Sequence, residues 1–154
     1  TRLYNALQPN GLLDETVENF SVATSRAASL MADTLGAKLI ITASYTGSTA
    51  RMVAQTRPKT SILCATPYER TMRRLALVWG VYPTLVPVFN TIDQMIEKVV
   101  SAAHDQHLCE YGDVLVLMAG SPFGVVGQAN FLKIHRVGES AEVPAPGSAS
   151  RRTR

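Results

Sequence analysis

A chain of 154 residues, 46% hydrophobic and 18% charged, is long enough for one domain with its own core and too apolar for a disordered polymer. Its net charge is only +3, and basic residues such as Arg51, Arg57, Lys59, Arg73, Arg74 and Lys133 are scattered rather than set in a stripe with interleaved aromatics, which argues against a nucleic-acid partner. No apolar run approaches the length of a membrane span, no secretory leader is visible, and two cysteines, Cys64 and Cys109, make no disulfide framework, so a reduced, cytoplasmic, membrane-free protein is expected.

In chain order, the first element is a helix from about Glu15 to Leu35. Val22, Ala23, Ala27, Leu30, Met31 and Leu35 recur at helical spacing, and Gly36 supplies a stop. Lys38 to Thr42 (KLIIT) then reads as a strand, followed by a helix from Ser48 to about Arg57 that Pro58 ends. Ser61 to Ala65 (SILCA) is the second strand. The next helix opens with Thr66 as cap, Pro67 at the first position and Glu69 as capping-box partner, and Trp79 near its end reads as a core or interface anchor. Thr84 to Val88 (TLVPV) is the third strand. A helix beginning near Thr91, with Gln94 three residues on, presents Ile92, Met95, Ile96 and Val99 and runs toward His107. Val114 to Met118 (VLVLM) is the fourth strand.

Runs apolar at nearly every position suit strands of a parallel sheet covered on both faces. Asn130 to Val137 alternates instead, and the link from Gly120 to Gln128 is too short for a parallel crossover. The fifth strand is therefore expected at an edge, antiparallel to the fourth. The predicted fold class is α/β: a three-layer αβα sandwich around a five-stranded, mostly parallel sheet whose last strand is antiparallel. Residues 138–154 are rich in Pro, Ser and Ala without periodicity and read as a disordered tail.

Ligands of such sheets bind beyond the carboxyl ends of strands where the strand order reverses. Two loops carry suitable chemistry. Ser44-Tyr45-Thr46-Gly47-Ser48-Thr49 opens directly into a helix, offering free N–H groups and hydroxyls to an anion, with Arg51 one turn in and Gly47 allowing close backbone approach. The same cluster also suits a plain helix cap. The second loop, 120–128, holds Gly120, Ser121, Pro122, Phe123, Gly124 and Gly127, and suits a segment that closes over a ligand. The Gly-Lys-Ser/Thr ending of a nucleotide-hydrolysing P-loop is absent from the first loop. His104, His107 and Cys109 lie close in sequence but lack an evident fourth metal ligand, His135 alternates with apolar neighbours as a structural residue does, and no aspartate pair suits acid–base work, so neither a catalytic nor a metal site is expected.

Gly47 to Thr60 (GSTARMVAQTRPKT), Thr66 to Val86 (TPYERTMRRLALVWGVYPTLV) and Gly112 to Val137 (GDVLVLMAGSPFGVVGQANFLKIHRV) resemble, in order and spacing, the C-terminal domain of bacterial-type pyruvate kinases. The resemblance spans 14–137. It implies that 1–13 is a linker from a catalytic barrel, that Ser44, Thr46, Gly47, Ser48 and Thr49 bind an effector's phosphate, and that 120–127 is the effector loop. It implies a non-catalytic chain, with Mg²⁺ and K⁺ held in the parent's catalytic domain, and a homo-oligomer that is a tetramer in the parent. Ser48 and Ser121 stand where the bisphosphate-activated animal type carries Arg and Trp. Gln94, Glu97 and Lys98 offer no arginine for a second phosphate, and Gln128 and Ala129 replace frequent threonines. A sugar monophosphate or AMP is thus expected in preference to fructose 1,6-bisphosphate. The alternative is a purely structural oligomerisation module whose effector site has decayed.

Overall fold

The computed structural model describes residues 15–120 and 129–139. The expected linker 1–13, the residues Ser121 to Gln128 of the second loop and the tail from 140 onward lie outside the described residues.

The described chain runs α1 (Glu15–Leu35), β1 (Leu39–Ala43), α2 (Ser48–Gln55), β2 (Ser61–Thr66), α3 (Glu69–Leu75), β3 (Val81–Leu85), α4 (Ile92–Asp105), β4 (Val114–Ala119) and β5 (Phe131–Arg136). The five strands form one sheet in the order β3-β2-β1-β4-β5, parallel except for the antiparallel β4–β5 pair. One face carries Leu39, Ile41, Leu63, Leu115 and Leu117 against Met95, Ile96 and Val99 of α4. The other carries Ile40, Ile62, Cys64, Val116 and Met118 against Ala28 and Ala32 of α1, Ala50 and Val53 of α2 and Leu75 of α3. Burial on both faces is why the central strands are apolar at successive positions. The three-layer sandwich expected from periodicity is the fold observed.

Several boundaries move, each for a local reason. β1 is displaced by one residue because its register with both neighbours runs from Leu39 to Ala43. β3 lies three residues earlier than the run Thr84 to Val88 suggested. Gly80, at φ 76, ends the preceding turn, the Ile62 N–H donates to the Gly80 carbonyl, and the ladder with β2 runs from Val81 to Leu85. Pro83 sits within β3 because β3 is the sheet edge, where a missing N–H is tolerated. The Thr66 capping box is half formed: Thr66 pairs with Leu85 as the last residue of β2 and its Oγ1 accepts from the Tyr68 N–H at 3.4 Å, but the helix starts later, with Tyr68 as N-cap, and Glu69 pairs with Arg73 at 2.6 Å instead of reaching back. The cap at Thr91 does form. Thr91 Oγ1 accepts from the Gln94 N–H, while Gln94 Oε1 accepts from the Asn90 N–H. α2 stops at Gln55, before Arg57 at φ 53, and α4 stops at Asp105, before His107 at φ 56.

α1 keeps its predicted span but not its predicted inner face. Ser21, Ser25, Ala28, Ser29 and Ala32 face inward, whereas Phe20 and Leu30 are exposed. Small side chains let this helix lie close to the sheet, and the inward serines satisfy themselves: Ser25 Oγ donates to the Ser21 carbonyl and Ser29 Oγ to the Ser25 carbonyl.

His135 on β5 is buried, and burial followed by the Lys133 charge pushes its pKa down, with Glu139 opposing. The native state therefore holds it neutral while the unfolded chain protonates near its ordinary pKa of 6.5. Its contribution is fully present above that value and is lost as pH falls through the lowered pKa. Urea midpoints measured downward from pH 7.5 (about one unit above the ordinary pKa) are expected to decline, and His135→Leu to flatten the decline.

Candidate functional site

β1 is the first strand, and the chain leaves it for β2 on one side and returns to β4 on the other. The reversal therefore falls between β1 and β4, whose last residues, Ala43 and Ala119, are paired in register. Ser44 and Gly120 follow those residues, so both loops singled out from the sequence begin at neighbouring strand ends. The second loop's return is fixed by the Asn130 N–H on the Ala119 carbonyl and the Ala129 N–H on Ser21 Oγ, at 3.2 Å each.

The first loop brings Ser44, Thr46, Gly47, Ser48 and Thr49 together in one turn. Gly47 is the N-cap of α2 at φ 79, and no side chain caps the helix. Ser44 Oγ accepts from the Gly47 N–H at 3.0 Å, Thr46 Oγ1 donates to Ser48 Oγ at 3.1 Å, and the Ser48 N–H lies 3.4 Å from Thr46 Oγ1. The N–H groups of Thr49 and Ala50 fall in the first turn, where an α-helix has no acceptor of its own, and the helix dipole adds positive character. Thr49 is buried, Ser48 half-buried and Thr46 exposed. No acidic residue stands in that first turn. The arrangement offers backbone donors and adjustable hydroxyls to an anion.

Gly47 has a role the sequence did not reveal. A Cβ there would come within 2.9 Å of Leu75 Cδ2, so the loop sits directly on the fully buried Leu75 of α3. Also unforeseen is the bracing of the loop from α3. Thr71 Oγ1 donates to the Tyr45 carbonyl at 2.8 Å, and the rings of Tyr45 and Tyr68 meet edge to face at 5.8 Å. These contacts join residues far apart in sequence, and no local pattern announces them.

Of the second loop, Gly120 is described and half-buried; Ser121, Pro122, Phe123, Gly124 and Gly127, together with Gln128, lie outside the described residues. Lys98 of α4 donates to the Val88 carbonyl at 2.8 Å. Cys64 is fully buried and its thiol is pushed up to about 11, chiefly by burial, which removes it as a nucleophile. His104 and His107 are exposed, and no group of three or more His, Cys, Asp and Glu side chains among the described residues is arranged to hold a metal ion. Trp79, expected as an anchor, is 70% exposed in this chain.

The family description "Pyruvate kinase, alpha/beta domain" matches residues 22–135. Pyruvate kinase of Geobacillus stearothermophilus is 37% identical over 142 residues, covering 90% of this chain and 24% of that protein. Pyruvate kinase 2 of Synechocystis is 41% identical over 115 residues, covering 75% of this chain and 20% of that protein. Among solved structures, Cryptosporidium parvum pyruvate kinase in complex with ADP superposes with a TM-score of 0.69 at 26% identity, covering 88% of this chain and 26% of that one. The chain thus spans about a quarter of the length of these relatives.

Proposed function

The chain belongs to the pyruvate kinase C-terminal alpha/beta domain family, and on that premise we propose that it is the effector-binding regulatory module of a pyruvate kinase, taking a phosphorylated metabolite at the amino end of α2. The observation that carries this reading is positional. The hydroxyl-bearing turn from Ser44 to Thr49 stands at the sheet's reversal point, beside the strand end from which the glycine-rich loop issues. One phosphate fits one helix terminus, which favours a sugar monophosphate or AMP over a bisphosphate. In the parent enzyme, phosphoenolpyruvate and ADP would give pyruvate and ATP, with Mg²⁺ and K⁺ held in the catalytic domain.

Regulation follows from differential affinity. An effector that binds one arrangement of the two loops more tightly shifts the parent's homo-oligomer toward it, typically with about 1–3 kcal/mol of coupling. A second reading, a structural oligomerisation module, has one observation in its favour: the hydroxyls of Thr46 and Ser48 bond one another and Ser44 Oγ accepts from the Gly47 N–H, so these groups have partners within the turn itself. Titration calorimetry of the chain with AMP, ribose 5-phosphate and glucose 6-phosphate separates the two. The regulatory reading expects saturable heat with at least one of them and no turnover of phosphoenolpyruvate and ADP in a coupled assay. Absence of heat at millimolar ligand favours the structural module.

A further inference from the structure

We infer that the cavity between the second half of α2 and the turn that holds Trp79 is a second ligand site, suited to a small aromatic anion whose ring stacks on Trp79 and whose carboxylate or phosphate lies near Arg51 and Arg57. The cavity, about 310 Å³, is lined by Arg51, Ala54, Gln55, Arg57, Val78 and Trp79. That volume is at the lower end of small-molecule sites, which run roughly 300–1,000 Å³. Its lining carries two guanidinium groups and no carboxylate. The ion pairs among the described residues are Arg73–Glu69 and Arg136–Glu139, so neither Arg51 nor Arg57 is neutralised by an acidic partner there.

Three further features point the same way. Trp79 leaves 70% of its surface open although it is the residue best suited to burial against a planar group. The Arg57 guanidinium lies over the indole, 5.5 Å from its centroid, so charge and ring form one surface. Arg57 reaches that position from a left-handed backbone, φ 53, that a non-glycine residue adopts only under constraint, and the Arg57 N–H is tied to the Ala54 carbonyl at 3.1 Å. An aromatic anion satisfies both groups at once, whereas a bare ring or a bare anion uses one. The site shares α2 with the turn at Gly47 but no lining residue with it: Arg51, the nearest, lies one helical turn along and the rest lie further on.

Trp79 is the chain's only tryptophan, so its emission reports on this cavity alone. The chain is titrated with AMP and with phenylacetate, which separate a nucleotide from an aromatic carboxylate, and with adenosine and inorganic phosphate, which supply ring and charge singly. Saturable quenching in the millimolar range by AMP, by phenylacetate or by both is expected, without saturation by the other two. Arg57→Gly, which suits the left-handed turn and preserves folding, is expected to weaken that binding about tenfold, the loss of one charge-assisted contact. An excess of ribose 5-phosphate, directed to the Gly47 turn and carrying no aromatic ring, should leave the quenching unchanged. The inference is overturned if neither aromatic anion saturates, if adenosine or phosphate acts as strongly, if Arg57→Gly binds as wild type, or if excess ribose 5-phosphate abolishes the signal.

Discussion

Gly47→Val is expected to destabilise the domain by about 2–4 kcal/mol, a left-handed β-branched residue adding to overpacking of a filled core. Two effects combine. The backbone at φ 79 suits glycine, and the new Cβ meets Leu75 at three atoms between 2.9 and 3.0 Å. Leu75 is fully buried between α3 and the sheet, so its side chain has little room to retreat. Gly36→Ala is the control, because Gly36 has a similar φ of 60 with nothing within 4 Å of its added Cβ. It should cost about 1 kcal/mol, the backbone term alone. Urea denaturation of both variants measures the difference. Equal losses would remove the Leu75 contact from the account of why the first loop holds its shape.

Ser48→Asp is expected to lower affinity for a phosphorylated effector by about two orders of magnitude while leaving the domain folded. Two like charges about 4 Å apart near a protein surface repel by roughly 4 kcal/mol, a figure that salt and solvent reduce. The carboxylate also takes the helix N–H groups that the phosphate would use, and an acidic residue in a first helical turn is favourable to the helix itself. Ser48 is the better position for this charge than Thr49, which is buried and would force a carboxylate into the interior. Calorimetric titration of the variant beside wild type, with thermal denaturation as the folding check, reads both halves of the expectation. Undiminished affinity in a folded Ser48→Asp variant would move the phosphate elsewhere.

The layering of this fold was legible because its causes are local. Ile40, Ile41, Ile62 and Leu63 are consecutive apolar residues because each face of the sheet is covered, and the alternation after Asn130 follows from the edge position of β5. What sequence reasoning missed depends on contacts across the chain. β3 begins at Val81 because its partner Ile62 pairs there, not because of composition. Thr66 continues a strand because Leu85 is opposite it, and the helix starts two residues later although the Thr66 hydroxyl still accepts from the Tyr68 N–H. α1 turns its serines inward and leaves Phe20 and Leu30 outside, an inversion that hydrophobic periodicity does not anticipate. The candidate site follows the same division. Its hydroxyls and Gly47 were visible as a run in front of a helix, but the Leu75 contact and the Thr71 and Tyr68 braces come from α3 and the turn before it. Arg57 and Trp79, separated along the chain, meet only in the folded domain.

The central claim is that the amino end of α2 receives the effector's phosphate, and amide chemical-shift mapping of the isotopically labelled chain tests it most directly. On addition of a sugar monophosphate or AMP, the backbone amides of Gly47, Ser48, Thr49 and Ala50 are predicted to show the largest shifts, because the Thr49 and Ala50 N–H groups have no acceptor of their own and those of Gly47 and Ser48 exchange the Ser44 and Thr46 hydroxyls for the phosphate. Saturable shifts concentrated elsewhere with those four amides unmoved, or no shifts at millimolar ligand, would contradict it.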